Sequence, residues 1–457
     1  MNSHEINVGK SEKSTTDLML NTPIPKLVIK MAIPTVLSTI VLSIYGMADL
    51  FFVSRLGPNA SAAVGIVFSI LTMFQAVGSM LGVGAGNIIS RSLGAGDSSK
   101  ADAVASVTFF CSIIAGIIVM ILGIIFKTEV MIFLGATSTI LPYAQDFAHY
   151  ILIASPIMCS SFVLNIILRS QGKPKLSMIG LSIGGVLNII LEPIFIFSLK
   201  MGIAGAALAT LISQTVSFII LLFMYLNTKS LAKIRFSFFM PNVSKVFPAV
   251  CSNGAPSLLR QGLVVVANVL LNIHASKFGV EAIAGIAITN RIFLLVVSVM
   301  FGLGQGFQPV AGFCLGANRF DRLKKAFYFT LYISVVVQTI FALLLYIFDS
   351  NIVRFFQKDK LVIEIGIQAI HYFALSLPLL PVVVITNMLY QVAEKNKQSL
   401  FLASCRQGIF FIPLIFTLPH FFGLTGLMLC QPIANVFSAL ISIPFLVWFM
   451  KHNPCKS

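Results

Sequence analysis

Apolar runs of about 20 residues or more recur along the chain, the length an α-helix needs to cross roughly 30 Å of hydrocarbon. There are twelve: 29–54, 62–88, 103–126, 143–167, 177–198, 203–227, 247–275, 281–308, 326–348, 363–391, 399–419 and 424–450. The intervals between them carry residues that end helices, among them Gly57-Pro58-Asn59, Gly94-Ala95-Gly96-Asp97, Gly172-Lys173-Pro174-Lys175, Gly316-Ala317-Asn318 and Pro419. No segment asks to be a strand. A helix satisfies its own backbone in lipid, so the pattern predicts an all-α polytopic membrane protein with twelve transmembrane helices.

Composition makes the membrane a necessity. Of 457 residues 57% are hydrophobic and 10% charged, with a mean hydropathy of +0.96; a soluble domain carries about 25% charged residues. The 31 Lys and Arg against 15 Asp and Glu give +16, which in a soluble chain would suggest nucleic acid. Here the excess is a topology signal. With the amino terminus inside, cytoplasmic segments hold 21 Lys and Arg and outer segments hold 7 (Arg55, Lys127, Lys200, Lys277, Arg354, Lys358 and Lys360), which places both ends in the cytoplasm. The remaining three, Arg260, Arg291 and Arg406, fall inside helices; they either anchor the second half or serve substrate or gating, since an arginine at that depth is costly.

The chain repeats itself. Gly82 and Gly84 match Gly304 and Gly306, Leu93-Gly94-Ala95 matches Leu315-Gly316-Ala317, Ala32-Ile33-Pro34 corresponds to Gly254-Ala255-Pro256, and Ser54-Arg55-Leu56-Gly57 to Ser276-Lys277-Phe278-Gly279, all at one constant offset. This divides the chain into an N-terminal tail (1–26), a first lobe of six helices (27–227), a basic linker (228–246), a second lobe (247–450) and a C-terminal tail (451–457). Six crossings return the chain to its starting side, so the lobes are parallel repeats related by a pseudo-two-fold axis along the membrane normal, the arrangement of many secondary transporters. The first tail is expected to be loosely ordered.

Two acidic residues, Asp49 and Glu192, are not in tails, loops or helix ends, and both belong to the first half; their counterparts, near Leu271 and Pro413, are uncharged. A carboxylate in an apolar bundle is disfavoured as an anion unless a cation sits beside it, which suits it to carry H+ or Na+. Asp49 lies six residues before Arg55 and Glu192 eight before Lys200, roughly 9 and 12 Å below the outer boundary at 1.5 Å per residue. Tyr45 and Asn188 sit four residues earlier on the same helical faces. Thr210 reaches similar depth, and Asn165 lies deeper. Pro193 frees the carbonyl of Ile189 and Pro34 that of Lys30, which allows bending; oxygens at Asp49, Asn188, Glu192 and Thr210 would suit Na+, a hard cation.

Glycines at 78, 82 and 86 and at 302 and 306 repeat at the spacing that lets membrane helices approach closely. Seven cysteines without metal spacing and six scattered histidines point to no metal centre and no cofactor.

The segment Tyr45-Gly46-Met47-Ala48-Asp49 ending in Ser54-Arg55-Leu56-Gly57, the run Arg91-Ser92-Leu93-Gly94-Ala95-Gly96, Gln171-Gly172-Lys173-Pro174 and Asn188-Ile189-Ile190-Leu191-Glu192-Pro193 together resemble the multidrug and toxic compound extrusion (MATE) transporters of bacteria, over residues 25 to 450. The last run is similar to that family's Asn-x-x-Leu-Asp-Pro, with Glu for Asp. The resemblance implies two lobes around a central cleft and export of lipophilic, often cationic drugs in exchange for inward H+ or Na+. It implies a monomer in the cytoplasmic membrane, with Tyr45, Asp49, Asn165, Asn188, Glu192 and Thr210 serving the cation and Pro34 the bending. A flippase for a lipid-linked precursor is the competing expectation, with the three helix arginines as its phosphate ligands. A major-facilitator carrier would show an Asp-Arg loop after helix 2, and an enzyme a nucleophile and base at membrane depth; neither is present.

Overall fold

The computed structural model describes residues 15–227, 230–356 and 359–452; most of the two tails, with Lys10, Lys13, Cys455 and Lys456, and the loop residues Lys229 and Lys358 lie outside them. Helix dominates and no strand occurs among the described residues. The first half runs α1 (Ile24–Ser54), α2 (Pro58–Gly94), α3 (Ser98–Ile125), α4 (Leu141–Ser170), α5 (Pro174–Pro193) and α6 (Gly202–Asn227). The second runs α7 (Phe236–Ala275), α8 (Val280–Gly316), α9 (Phe320–Ile347) and α10, whose segments Lys360–Ser376 and Leu380–Val392 are joined by one 3-10 turn.

The end of the chain folds as one apolar helical stretch, Asn396–Lys451, of 56 residues. At 1.5 Å per residue that is roughly 84 Å, far longer than one crossing. It breaks at Gly423, whose φ of 56° and ψ of −136° are not helical; a side chain there would be strained. The break separates α11 (396–422) from α12 (424–451), so eleven long apolar helices make twelve crossings and both described ends share one face, the terminal face.

Local signals explain the boundaries. Asp97 caps α3 by accepting from Lys100 N at 2.9 Å, and Asp359 caps α10 by accepting from Leu361 N and Val362 N at 2.9 and 3.1 Å. Prolines open α2, α4 and α5, where the missing N–H costs nothing. Short surface helices, Lys127–Phe133 and Asp349–Phe356, begin at equivalent positions of the two repeats, on the face opposite the termini.

The cores show how the halves sit together. Near the terminal face one continuous apolar core runs through both halves, from Met31, Leu81, Val163 and Leu221 to Phe307, Phe327 and Tyr390. Towards the other face the core splits: one cluster belongs to the first half alone, around Phe74, Phe147 and Ile196, and separate clusters to the second, around Met300 and Phe411. Among the described residues the halves meet mainly on the terminal side, through α1 against α8, α2 against α7 and α8, and α3 against α7.

Glycine sets how closely they meet. A Cβ on Gly254 would run into the backbone carbonyl of Met80, and one on Gly306 into Ala32 of α1. Within the first half, Gly82 and Gly86 admit Ile166 of α4, as their spacing predicts.

The amino-terminal tail, expected to be loose, is held where it is described, and so is the linker. Residues 15–21 form a helix with Met19 fully buried. Arg319 donates to Leu20 O at 2.8 Å, and Arg322 to Met19 O at 3.1 Å and to Thr22 O. Second-half guanidiniums thus supply the tail with partners that no local pattern announces. The described part of the linker is pinned to the first half by Leu231 N to Gln171 Oε1 (2.9 Å), Lys233 N to Asp102 Oδ1 (2.6 Å) and Arg235 N to Ser106 Oγ (2.9 Å).

Candidate functional site

Asp49 comes from the last third of α1 and Glu192 from the last turn of α5, and α1 packs directly on α5. Neither is solvated: Asp49 is 7% exposed and Glu192 fully buried. The two carboxyl groups face each other within interaction range. Carboxylates only accept, so a hydrogen bond between two of them requires a proton on one. The contact thus defines a position for one exchangeable proton, and the other oxygens, Asp49 Oδ1 and Glu192 Oε1, are buried without partners.

Asn188 and Thr210 complete the cluster. Turned with its nitrogen towards Glu192, the Asn188 amide donates to Oε2 at 3.2 Å, and its oxygen lies 3.1 Å from the Thr210 hydroxyl. The opposite orientation would set the amide oxygen against the Glu192 oxygen, two acceptors face to face. Tyr45, one turn before Asp49, lies beside Thr210 and the carboxyl pair. A pocket above the cluster is lined by Tyr45, Gly46, Asp49, Gln75, Ser161 and Gln214, with Phe68 and Phe162 among its apolar walls. An acidic group in the wall of a partly aromatic pocket suits a lipophilic cation or a small hard cation.

Asn165 stands apart from these five. Its Nδ2 donates to Ser177 O at 2.9 Å, tying α4 to α5. The same bond recurs at the equivalent place in the second repeat, where Asn387 Nδ2 donates to Ser399 O at 2.6 Å. Its hydrogen bond staples two helices and does not reach the carboxyl pair.

The prolines act differently. α1 runs unbroken through Pro34, which is buried between the positions, Ala32 and Val36, that α8 presses through Gly306 and Gly302. At Pro193 α5 ends and the chain winds more widely as a π turn, Ile194–Ser198. Of the arginines, Arg260 and Arg406 come together in the second half, whereas Arg291 is exposed on α8 away from them.

Polar bridges between the halves were not legible as such. Arg169, 5% exposed at the last turn of α4, donates to Gln305 Oε1 of α8 at 2.6 Å. Asn87 Nδ2 donates to Asn253 Oδ1 at 3.0 Å, and Arg91 pairs with Glu394 at 3.4 Å. The sequence tally counted Arg91 and Arg169 as loop cations. Asn87 carried a usable signal, an amide in an apolar helix, as did Gln214 one turn after Thr210.

The MatE family model matches residues 34–194 and 256–417, two segments that begin at equivalent positions of the repeat. The chain is 25% identical over 432 residues to "Multidrug export protein MepA" of Staphylococcus aureus (strain MRSA252), covering 94% of this chain and 95% of that protein. Among solved structures, "Crystal structure of MATE in complex with MaL6" superposes with a TM-score of 0.90 at 26% identity, over 95% of this chain and 98% of that one. "Outward-facing conformation of a multidrug resistance MATE family transporter of the MOP superfamily" also gives 0.90 at 26%, over 95% and 97%.

Proposed function

The chain belongs to the MatE family, multi-pass membrane transporters, and on that footing we propose that it is a secondary multidrug efflux antiporter that expels lipophilic, often cationic compounds in exchange for an inward-moving H+ or Na+. The observation that carries this is the buried Asp49–Glu192 contact, with Asp49 in the wall of a partly aromatic pocket. A proton shared between the carboxyls lowers the charge of the pair from two negatives to one; its departure restores the second negative charge, which holds a cation. Proton and drug therefore compete for one place. The carboxyl-to-carboxyl contact favours H+, while Asn188 and Thr210 supply the further oxygens Na+ would need.

The positive-charge count assigns the terminal face to the cytoplasm of a bacterial cell. The shared core then closes the cytoplasmic side and the split cores face outward. Alternating access exchanges this arrangement for its reverse, with α1 flexing near Pro34 against α8. One chain holds both lobes and acts as a monomer.

The test is efflux of a fluorescent cation from proteoliposomes under an imposed pH gradient and, separately, an imposed sodium gradient. Efflux should follow one gradient and disappear in Asp49→Asn while that protein still folds. Undiminished gradient-driven efflux in Asp49→Asn would sink the proposal. An oxyanion-lipid flippase would instead move the lipid and ignore both gradients.

A further inference from the structure

The second half holds two arginines, Arg406 buried and Arg260 half-buried, without an acid beside them. Arg260 lies on α7 and Arg406 in the π turn Cys405–Phe410 of α11. The Leu263 side chain packs over Gly408, bringing turn and helix together, and the two guanidiniums are close enough to repel each other. Asn387 spends its amide nitrogen on Ser399 O, so its oxygen faces Arg260 Nη1, at 3.4 Å, the long limit of a hydrogen bond. The Phe301 ring lies 5.5 Å from the Arg260 guanidinium carbon. Arg406 is 8% exposed and its Nη1 is buried without a partner. Ion pairs among the described residues are Arg91–Glu394 and His371–Asp349, so neither arginine has a carboxylate.

Duplication shows that the fold does not require these charges. The equivalent positions in the first repeat are Ser38 and Gly184. Two like charges out of water are unfavourable unless something of opposite sign shares them, and the guanidinium fork matches a planar oxyanion.

We infer that Arg260 and Arg406 form a binding site for the oxyanion of an amphiphilic substrate, a carboxylate above all, at the base of the cleft in the second half. Arg260 lies eleven residues before Leu271, the counterpart of Asp49, roughly 16 Å nearer the terminal face. The cleft is thus bipolar, with acid in one wall and base at the foot of the other. Zwitterionic amphiphiles with separated charges satisfy both, so the substrate range extends beyond cations. This rests on the transport reading for its substrate, and the experiment separates the two.

Rhodamine 123 and rhodamine 110 share one cationic ring system and differ in a methyl ester against a free carboxylate. Binding of each to the full-length protein in phosphatidylcholine nanodiscs, read by fluorescence polarisation, should show that Arg406→Gln and Arg260→Gln weaken rhodamine 110 by about 10- to 100-fold, the loss expected for a charged hydrogen bond. Rhodamine 123 should stay within about threefold, since its ester offers no charge to lose. Arg406→Lys keeps the charge and should recover part of the loss, which separates charge from folding. Rhodamine 110 affinity of the wild type that falls as phosphatidylglycerol replaces phosphatidylcholine, with rhodamine 123 steady, identifies lipid phosphate as a competing oxyanion at the same pair. Equal loss of both dyes, or of neither, in the two Gln variants overturns the site while leaving the transport reading intact. A wild type that binds neither dye overturns both.

Discussion

The two halves of this transporter share a backbone and oppose each other in charge. The helix staple is the same bond in both, Asn165 to Ser177 and Asn387 to Ser399. Around it the chemistry reverses: Asp49 and Glu192 where the second half has Leu271 and Pro413, Arg260 and Arg406 where the first has Ser38 and Gly184. Duplication therefore preserved what holds helices together and released what faces the cleft. A residue repeated in both copies is explained by packing; one found in a single copy asks for a function.

The largest expected effect comes from moving the acid across the pseudo-symmetry axis. Asp49→Asn should lower gradient-driven efflux at least about 100-fold, and adding Leu271→Asp should restore none of it, because that position has no second carboxyl to share a proton. Recovery in the double variant, measured in the proteoliposome assay, would make the halves interchangeable and break the comparison.

Next is the seam. Gly254→Ala drives a Cβ into the Met80 carbonyl, a backbone atom that cannot turn aside, whereas Gly82→Ala meets mainly the tip of Ile166. The first should cost about 1–3 kcal/mol by overpacking and the second less than about 1, read as melting temperature in detergent; equal costs would mean that the seam is no more rigid than the lobe.

Arg169→Leu removes the 2.6 Å bond to Gln305. Losing a charged hydrogen bond of about 2 kcal/mol should shift the closed terminal side by about 30-fold towards opening, seen as faster labelling of a cysteine placed at the seam; labelling that does not change would remove Arg169 from the closure.

The smallest effect concerns the staple. Asn165→Ala and Asn387→Ala should each destabilise by about 1 kcal/mol, but only Asn387→Ala, which releases Arg260, should also alter rhodamine 110 binding. A change in rhodamine 110 binding by both would show that the repeat, and not the arginine, is responsible.

Much of this was legible in the chain. Length and apolarity announced twelve crossings, and Gly423 ends α11 four residues beyond Pro419, where the sequence placed the stop. Helical spacing brought Tyr45 to Asp49 and Asn188 to Glu192, since i and i+4 share a face. Depth alone could not place Asn165, because where its amide points depends on a carbonyl twelve residues away. Nor could charge counting recognise Arg169 or Arg322, whose partners come from distant helices. Contacts within one helix are written in spacing; contacts between halves depend on how rigid bodies dock, which no periodicity records.

The amino-terminal tail bears on how the protein is handled in the laboratory. Residues 15–22 leave the first half and are gripped by Arg319 and Arg322 of the second. A fluorescent protein or affinity handle fused close to Thr15 would crowd that grip, while His452, the last described residue, bonds within its own helix, to Trp448 O at 3.0 Å. Reporter position then becomes an experimental variable: two labelled versions of the same transporter should differ in how readily their halves separate, and the carboxy-terminal version is the faithful one.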